Sequence, residues 1–435
     1  MRESFALKGS RLMAPMIPPS RLRLRLLAHS RRIVLAILPL GLLLGLVMTA
    51  IIIGLDRHLV PFLEEASNRL VGAWVLPGAA LLTTTAWLAW TGTGAVSLFE
   101  DLDLAHRDPR EAFPFAKSMA KVVGCALTIG LGGSTGLEGP AKWMGAALGV
   151  QFHRGLHLMA ARWRPFRWLR MQPRTMVEAG AAAAVTVVFR APLSGALFAA
   201  EHDGKVAHTT LIPSIVAAAA AYIVWVAIAG TAPLIPVVKT FPLQAKELLW
   251  ALPVGFACGL GASLFLGLRR TLTRWFGRYP LVWRGALGGC GLMLLALPGH
   301  FLFHDLPITE RGGLGLILKV MGGSETHASA LLFCALKMTA TAMTLAAGGV
   351  GGMWICTVSM GVALGAFLQG WILPGTGGLI PMVAGVAFAG AAHEVLLVPI
   401  VFLAETTGAP ALVVPGLVAV TVALLVQREH GVHSR

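Results

Sequence analysis

Charge is scarce in this sequence. Asp, Glu, Lys and Arg supply only 13% of its 435 residues, against 56% apolar, and the mean hydropathy is +0.75. A soluble chain of this length needs far more charge to cover its surface, which argues against two or three soluble domains. Acids are scarcer still, 20 against 35 bases. A cation carrier wants several carboxylates inside its apolar segments, and only Glu138, Glu201, Glu394 and Glu405 are candidates. Tyrosine occurs only at Tyr222 and Tyr279. The five cysteines (Cys125, Cys258, Cys290, Cys334, Cys356) lie scattered in apolar stretches without metal-like spacing and read as buried thiols. His153, His157, His304 and His393 form no metal-ligand set either and read as membrane-interface or loop residues. Ser194, in APLSGAL, lacks the G-x-S-x-G frame of a hydrolase nucleophile. Nothing here implies a metal or a cofactor.

What is present is apolar sequence in long runs. A bilayer helix needs roughly 20 such residues, and Ile33–Leu55 supplies a retained first membrane helix, too long for a signal-peptide core. Further apolar segments recur from 69–90 to 411–426. The class is therefore an all-α polytopic membrane protein. The net charge of +15 concentrates at the start, where Arg2, Lys8, Arg11, Arg21, Arg23, Arg25, Arg31 and Arg32 face one acid, Glu3. Only Phe5 interleaves with them, so a base-stacking platform and a nucleic-acid partner are not indicated. Residues 1–32 read as a basic flank on the cytoplasmic side of a cell (inner) membrane. Residues 33–427 form the transmembrane domain, and 428–435 a tail too short for a folded module.

Several segments are shorter than a full span and begin or end at glycine or proline: Gly132-Gly133, Gly139-Pro140, Gly348-Gly349, Gly351-Gly352. Such segments have the form of half-helices, which aim their ends at an ion inside the membrane. Glycines that merely allow close helix packing explain others of the 51. The chain also repeats itself. MGAALG (144–149) matches MGVALG (360–365), each after a glycine-rich break. The stretch from Ala179-Gly180 to LFAAE, ending at Glu201, matches that from Ala384-Gly385 to VFLAE, ending at Glu405. Two matches in one order indicate duplicated halves, about 69–230 and 246–427.

Acids in membrane segments are functional candidates by default. Glu138 sits in GLEGP (136–140), between glycines and just ahead of a proline suited to a first helical turn. Backbone N–H groups at such a helix start point into one space and form an anion site. A carboxylate there can fill that site, yield to a competing anion, or leave on protonation. The alternative is a helix-capping glutamate.

These motifs resemble those of the CLC chloride channels and transporters. GLEGP resembles that family's GREGP, GTGAV (92–96) its GSGIP, and GGMWIC (351–356) its GGxFxP. GAAAAVTVVFRAPLSGALFAAEH (180–202) resembles its G-A-A-A-G…F-x-A-P-L-A-G-x-x-F-x-x-E-E. The resemblance runs in order from about residue 35 to the end. It implies an inverted-repeat fold with broken and half-spanning helices, a homodimer with one anion pathway per subunit, and chloride or a similar small monovalent anion as substrate. Carried over, Glu138 is the gating glutamate. Thr93 supplies the central hydroxyl. Gly136, Leu137 and Gly139, with Met353 and Trp354, add backbone amides. Lys121 supplies positive potential. Leu137 replaces the family's Arg and Cys356 its second-motif Pro; the inner tyrosine is missing, with His433 only loosely aligned to it. The exchangers' glutamate pair, whose second member takes up protons, is here Glu201-His202. A histidine titrates near pH 6.5 and can relay a proton, so both proton-coupled exchange and a passive channel stay open, as do fluoride or nitrate selectivity.

Overall fold

The computed structural model describes residues 19–432 apart from 60, 63–64, 66–69, 94–112, 202–207, 237–244, 303–311, 322–326 and 373–378. Among the described residues the secondary structure is helical, and the one β-type pairing is an isolated bridge. Among the described residues seven helices have the length and apolarity to cross a membrane, the first running Ser30–His58. The chain is a multi-pass membrane protein. Its helices are α1 (Pro19–Gly54), α2 (Leu70–Thr91), α3 (Phe115–Gly130), α4 (Glu138–Arg162), α5 (Pro173–Phe189), α6 (Pro192–Glu201) and α7 (His208–Ala229). A second series follows: α8 (Ala245–Phe276), α9 (Leu281–Leu302), α10 (Leu314–Met321), α11 (His327–Ala346), α12 (Trp354–Ile372), α13 (Leu379–His393), α14 (Leu397–Thr407) and α15 (Val413–Val432). At 10 and 11 residues, α6 and α14 are half-length pieces.

The two series pack alike. α1 lies on α7 as α8 lies on α15, and α4 on α5 as α12 on α13. Gly41 and Gly45 of α1 meet Ala217 and Ala221, while Gly255 and Gly259 of α8 meet Ala419 and Ala423 at the same spacing. In lipid, small residues on facing helices let backbones approach and gain dispersion contact that bulkier pairs cannot reach. Arg190 and Glu394 carry left-handed backbone, with φ of 54° and 57°, at the bends α5–α6 and α13–α14.

Among the described residues the main contacts between the halves include α2 on α9, α6 on α14, and the bridge between Gly136 and Gly352. The second is reciprocal. Glu201, ending α6, accepts from the N–H groups of Leu396, Leu397 and Val398 at the start of α14, the shortest contacts at 2.8 Å. Glu405, near the end of α14, accepts from the N–H groups of Leu193 (2.9 Å) and Ser194 (2.7 Å) at the start of α6. Each carboxylate thus caps the other half's short helix, satisfying amides with no intrahelical partner. Such an exchange relates the halves by a local two-fold axis, and the fold is an inverted repeat.

Candidate functional site

The two glycine-rich breaks meet. One joins α3 to α4 and the other α11 to α12, and the chain reverses at Gly132 (φ 92°) and at Gly348 (φ 99°), backbone that glycine adopts without steric cost. Gly133 N–H donates to Thr128 O (2.7 Å) as Gly349 N–H donates to Thr344 O (2.9 Å). The threonine hydroxyls then cross over: Ser134 N–H donates to Thr344 Oγ1 (3.2 Å), and Val350 N–H to Thr128 Oγ1 (3.1 Å). Gly136 and Gly352 exchange both backbone hydrogen bonds, at 2.7 and 2.9 Å. Irregular backbone at membrane depth must be satisfied within the protein, and here each break satisfies the other.

The reciprocal pairing brings the starts of α4 and α12 together. Glu138 opens α4, only 2% exposed, and its carboxylate turns back over the bridge. Ile355 N–H, in the first turn of α12, donates to Glu138 Oε1 at 3.3 Å, and the Trp354 amide faces the same group. A β-carbon on Gly136 or Gly352 would overlap that carboxylate, and one on Gly139 would strike the Gly352 amide. The glycines are therefore what lets a charged group reach two helix starts, where unpaired amides and the aligned dipoles favour negative charge.

Cations and aromatic rings surround this point. Lys121, on α3 and 5% exposed, holds its ammonium 4.0 Å from the ring centroid of Trp143. Lys142, one turn beyond Glu138 and 1% exposed, lies 5.3 Å from the Phe198 centroid. Arg269 of α8 donates to Met353 Sδ at 3.2 Å. The fully buried Trp354 ring packs against Phe198 (5.3 Å), Phe402 (5.7 Å) and His393 (5.1 Å). His393 is therefore a half-buried residue at the end of α13, packed on this core with both ring nitrogens shielded, rather than a loop residue.

Of the residues singled out in the sequence, Gly136, Leu137, Glu138, Gly139, Met353 and Trp354 are assembled at this junction, with Lys121 close by. Thr93 is buried just past the end of α2, and its hydroxyl bonds to Thr91 Oγ1 at 2.6 Å. Glu201 caps α14. Glu394 stands exposed and accepts from Gln427 Nε2 at 3.4 Å. His202, His304 and His433 lie outside the described residues. Sequence reasoning passed over Lys142, Arg269 and Lys337. Lys337 was findable: it is fully buried on α11 and shares with Lys121 the chain offset that relates Gly136 to Gly352. Arg269 carries no such signal, because α8 reaches Met353 only through tertiary packing.

A family model described as voltage gated chloride channel matches residues 75–428. The chain belongs to the CLC family. A ClcB-like protein of Ralstonia nicotianae is 28% identical over 298 residues, which cover 68% of this chain and 64% of the relative, so the match leaves about a third of that protein's length unspanned. The voltage-gated ClC-type chloride channel ClcB of Salmonella typhi is 26% identical over 334 residues, 73% of this chain and 74% of that one. Among solved structures, a slow cyanobacterial Cl−/H+ antiporter superposes with a TM-score of 0.75 at 18% identity, covering 92% of this chain and 95% of the other. A CLC-type fluoride/proton antiporter gives 0.73 at 21%, with the same coverage. These likenesses establish the CLC fold.

Proposed function

We propose that this CLC protein moves chloride, or a small monovalent anion like it, across the membrane, with Glu138 as the gate. The observation that carries the reading is the buried Glu138 carboxylate against the first-turn amides of α12. Bare amides and helix dipoles bind a weakly hydrated anion without a fixed counter-charge. Gly136, Leu137, Gly139, Met353 and Trp354 frame the anion position, and Lys121 raises the local potential. Thr93 donates its hydroxyl when the central site is filled. A carboxylate in that place is a tethered competitor of the anion. Protonation removes its charge and frees the amides.

Proton-coupled exchange is the finer proposal. Glu138 carries the proton at the anion site, and Glu201-His202 provides the route from the N-terminal, cytoplasmic face of a cell membrane. The working unit is a homodimer with one pathway per subunit. The names of relatives support chloride, and that of one structural neighbour keeps fluoride in view. Reconstituted flux with a proton-sensitive dye tests the reading. A chloride gradient that drives protons uphill means exchange; chloride flux without proton movement means a passive channel; flux of neither chloride, fluoride nor nitrate overturns the proposal.

A further inference from the structure

A second feature lies away from the Glu138 junction, where α1, α4, α5 and α7 converge. These helices border an open cavity of about 670 Å³. Among the described residues, five cationic or titratable side chains line it: Arg32 from α1, His153, Arg154 and His157 from α4, and Arg170 from the connection before α5; none of the described lining residues is acidic. The nearby Glu178 is already tied to Arg174 at 2.7 Å. Arg32 Nε is shielded from solvent and has no acceptor, a donor that costs free energy until a ligand meets it. His153 and His157, one turn apart on α4, stand with ring centroids 4.9 Å apart.

Position in the fold narrows the ligand. Two membrane spans begin at this cavity, Ser30–His58 and Thr209–Ala229, and Arg32 and Thr209 both line it. The neighbouring turn Arg164–Leu169 is flanked and occupied by exposed tryptophans, Trp163 at 58% and Trp168 at 41%. Amphipathic rings of that kind settle at the headgroup level of a bilayer. The cavity therefore opens where lipid phosphates lie, with Ile33 and Pro213 supplying an apolar wall on the side of the spans. A halide is too small for it. A group with two negative charges and several acceptor oxygens matches three guanidiniums and two imidazoles.

We infer that this cavity binds a phosphate monoester, on a phospholipid headgroup or on a soluble metabolite. Basic pockets between membrane helices recognise anionic headgroups by this chemistry. The site is independent of the anion pathway, so its failure would leave the reading of Glu138 untouched.

Thermal unfolding of the full chain in a neutral detergent tests it, with dioctanoyl phosphatidic acid, dioctanoyl phosphatidylcholine, glycerol 3-phosphate and inorganic phosphate as probes. The expected result is saturable stabilisation by phosphatidic acid, and affinity weakened about tenfold or more in Arg154→Gln/Arg170→Gln. Arg154 and Arg170 are exposed, so the variant keeps its core; if it still unfolds early, Arg170→Gln alone serves, with a smaller loss. Equal stabilisation by glycerol 3-phosphate assigns the site to soluble phosphates, and response to the lipid alone assigns it to a headgroup. Either outcome supports the inference. Stabilisation by phosphatidylcholine equal to that by phosphatidic acid, no response to any phosphate, or unchanged affinity in the variant overturns it.

Discussion

At Glu138 one carboxylate meets the amides of a helix from the other half of the chain, and in the proposed gate its charge would decide what those amides can bind. Replacement by Gln keeps the shape and removes the charge. Glu138→Gln is expected to abolish proton movement and to make anion flux independent of pH, whereas wild-type flux should rise as pH falls and the carboxylate protonates. Stopped-flow flux in vesicles across pH is the check, and an unchanged pH profile would remove Glu138 from the gate. Gly352 is a steric counterpart. A β-carbon there overlaps the Glu138 carboxylate, so Gly352→Ala should destabilise the protein by about 1–3 kcal/mol and depress flux. Gly267, on α8 with nothing within 4 Å of a built β-carbon, is the control: Gly267→Ala should leave stability unchanged or raise it by up to about 1 kcal/mol. Thermal unfolding of the two variants side by side separates tight packing at the junction from a general intolerance of alanine.

Among elements, the exchanged caps of α6 and α14 are the most consequential pairing. Helices of 10 and 11 residues are too short to be stable alone, so their first-turn amides need the partner half. Glu405→Gln leaves the amides of Leu193 and Ser194 with a neutral acceptor. It should cost about 1–2 kcal/mol, charge-assisted hydrogen bonds being roughly twice as strong as neutral ones. Glu201→Gln should cost at least as much, because more amides converge on that carboxylate. Unfolding in detergent reads the stability, and proton-coupled flux reads the transport role. Stability lost with coupling intact would confine Glu201 to capping; coupling lost beyond what stability explains would keep it on the proton route.

For the whole molecule, the packing supports a repeat that would include the first helix. α1 packs on α7 through the same glycine and alanine spacing that α8 uses on α15, so we propose α1–α7 and α8–α15 as the two halves, with α10 as an addition to the second. Apolar surface left outside the helix bundle, Leu249, Leu264 and Leu294 each at 67% or more, suits lipid or a second copy. Light scattering in detergent should return twice the chain mass of 45.8 kDa, and a monomer mass would overturn the homodimer.

Much of this was written locally. Length and spacing of apolar runs give the spans because lipid offers the backbone no partners, and glycine-rich breaks show because few other residues reverse a chain at that depth. The duplication was visible in MGAALG and MGVALG, as was the Glu138 start of α4. Partnership was not. No local signal reveals that Thr128 and Thr344 each hold the other half's loop, that Glu201 and Glu405 exchange helices, or that His393 lies against Trp354. The sequence determined which segments enter the membrane and where they break, since bilayer thickness and backbone sterics act on each segment alone. Which amides face which carboxylate was decided only when two halves packed about a common axis, because those contacts join residues some two hundred positions apart.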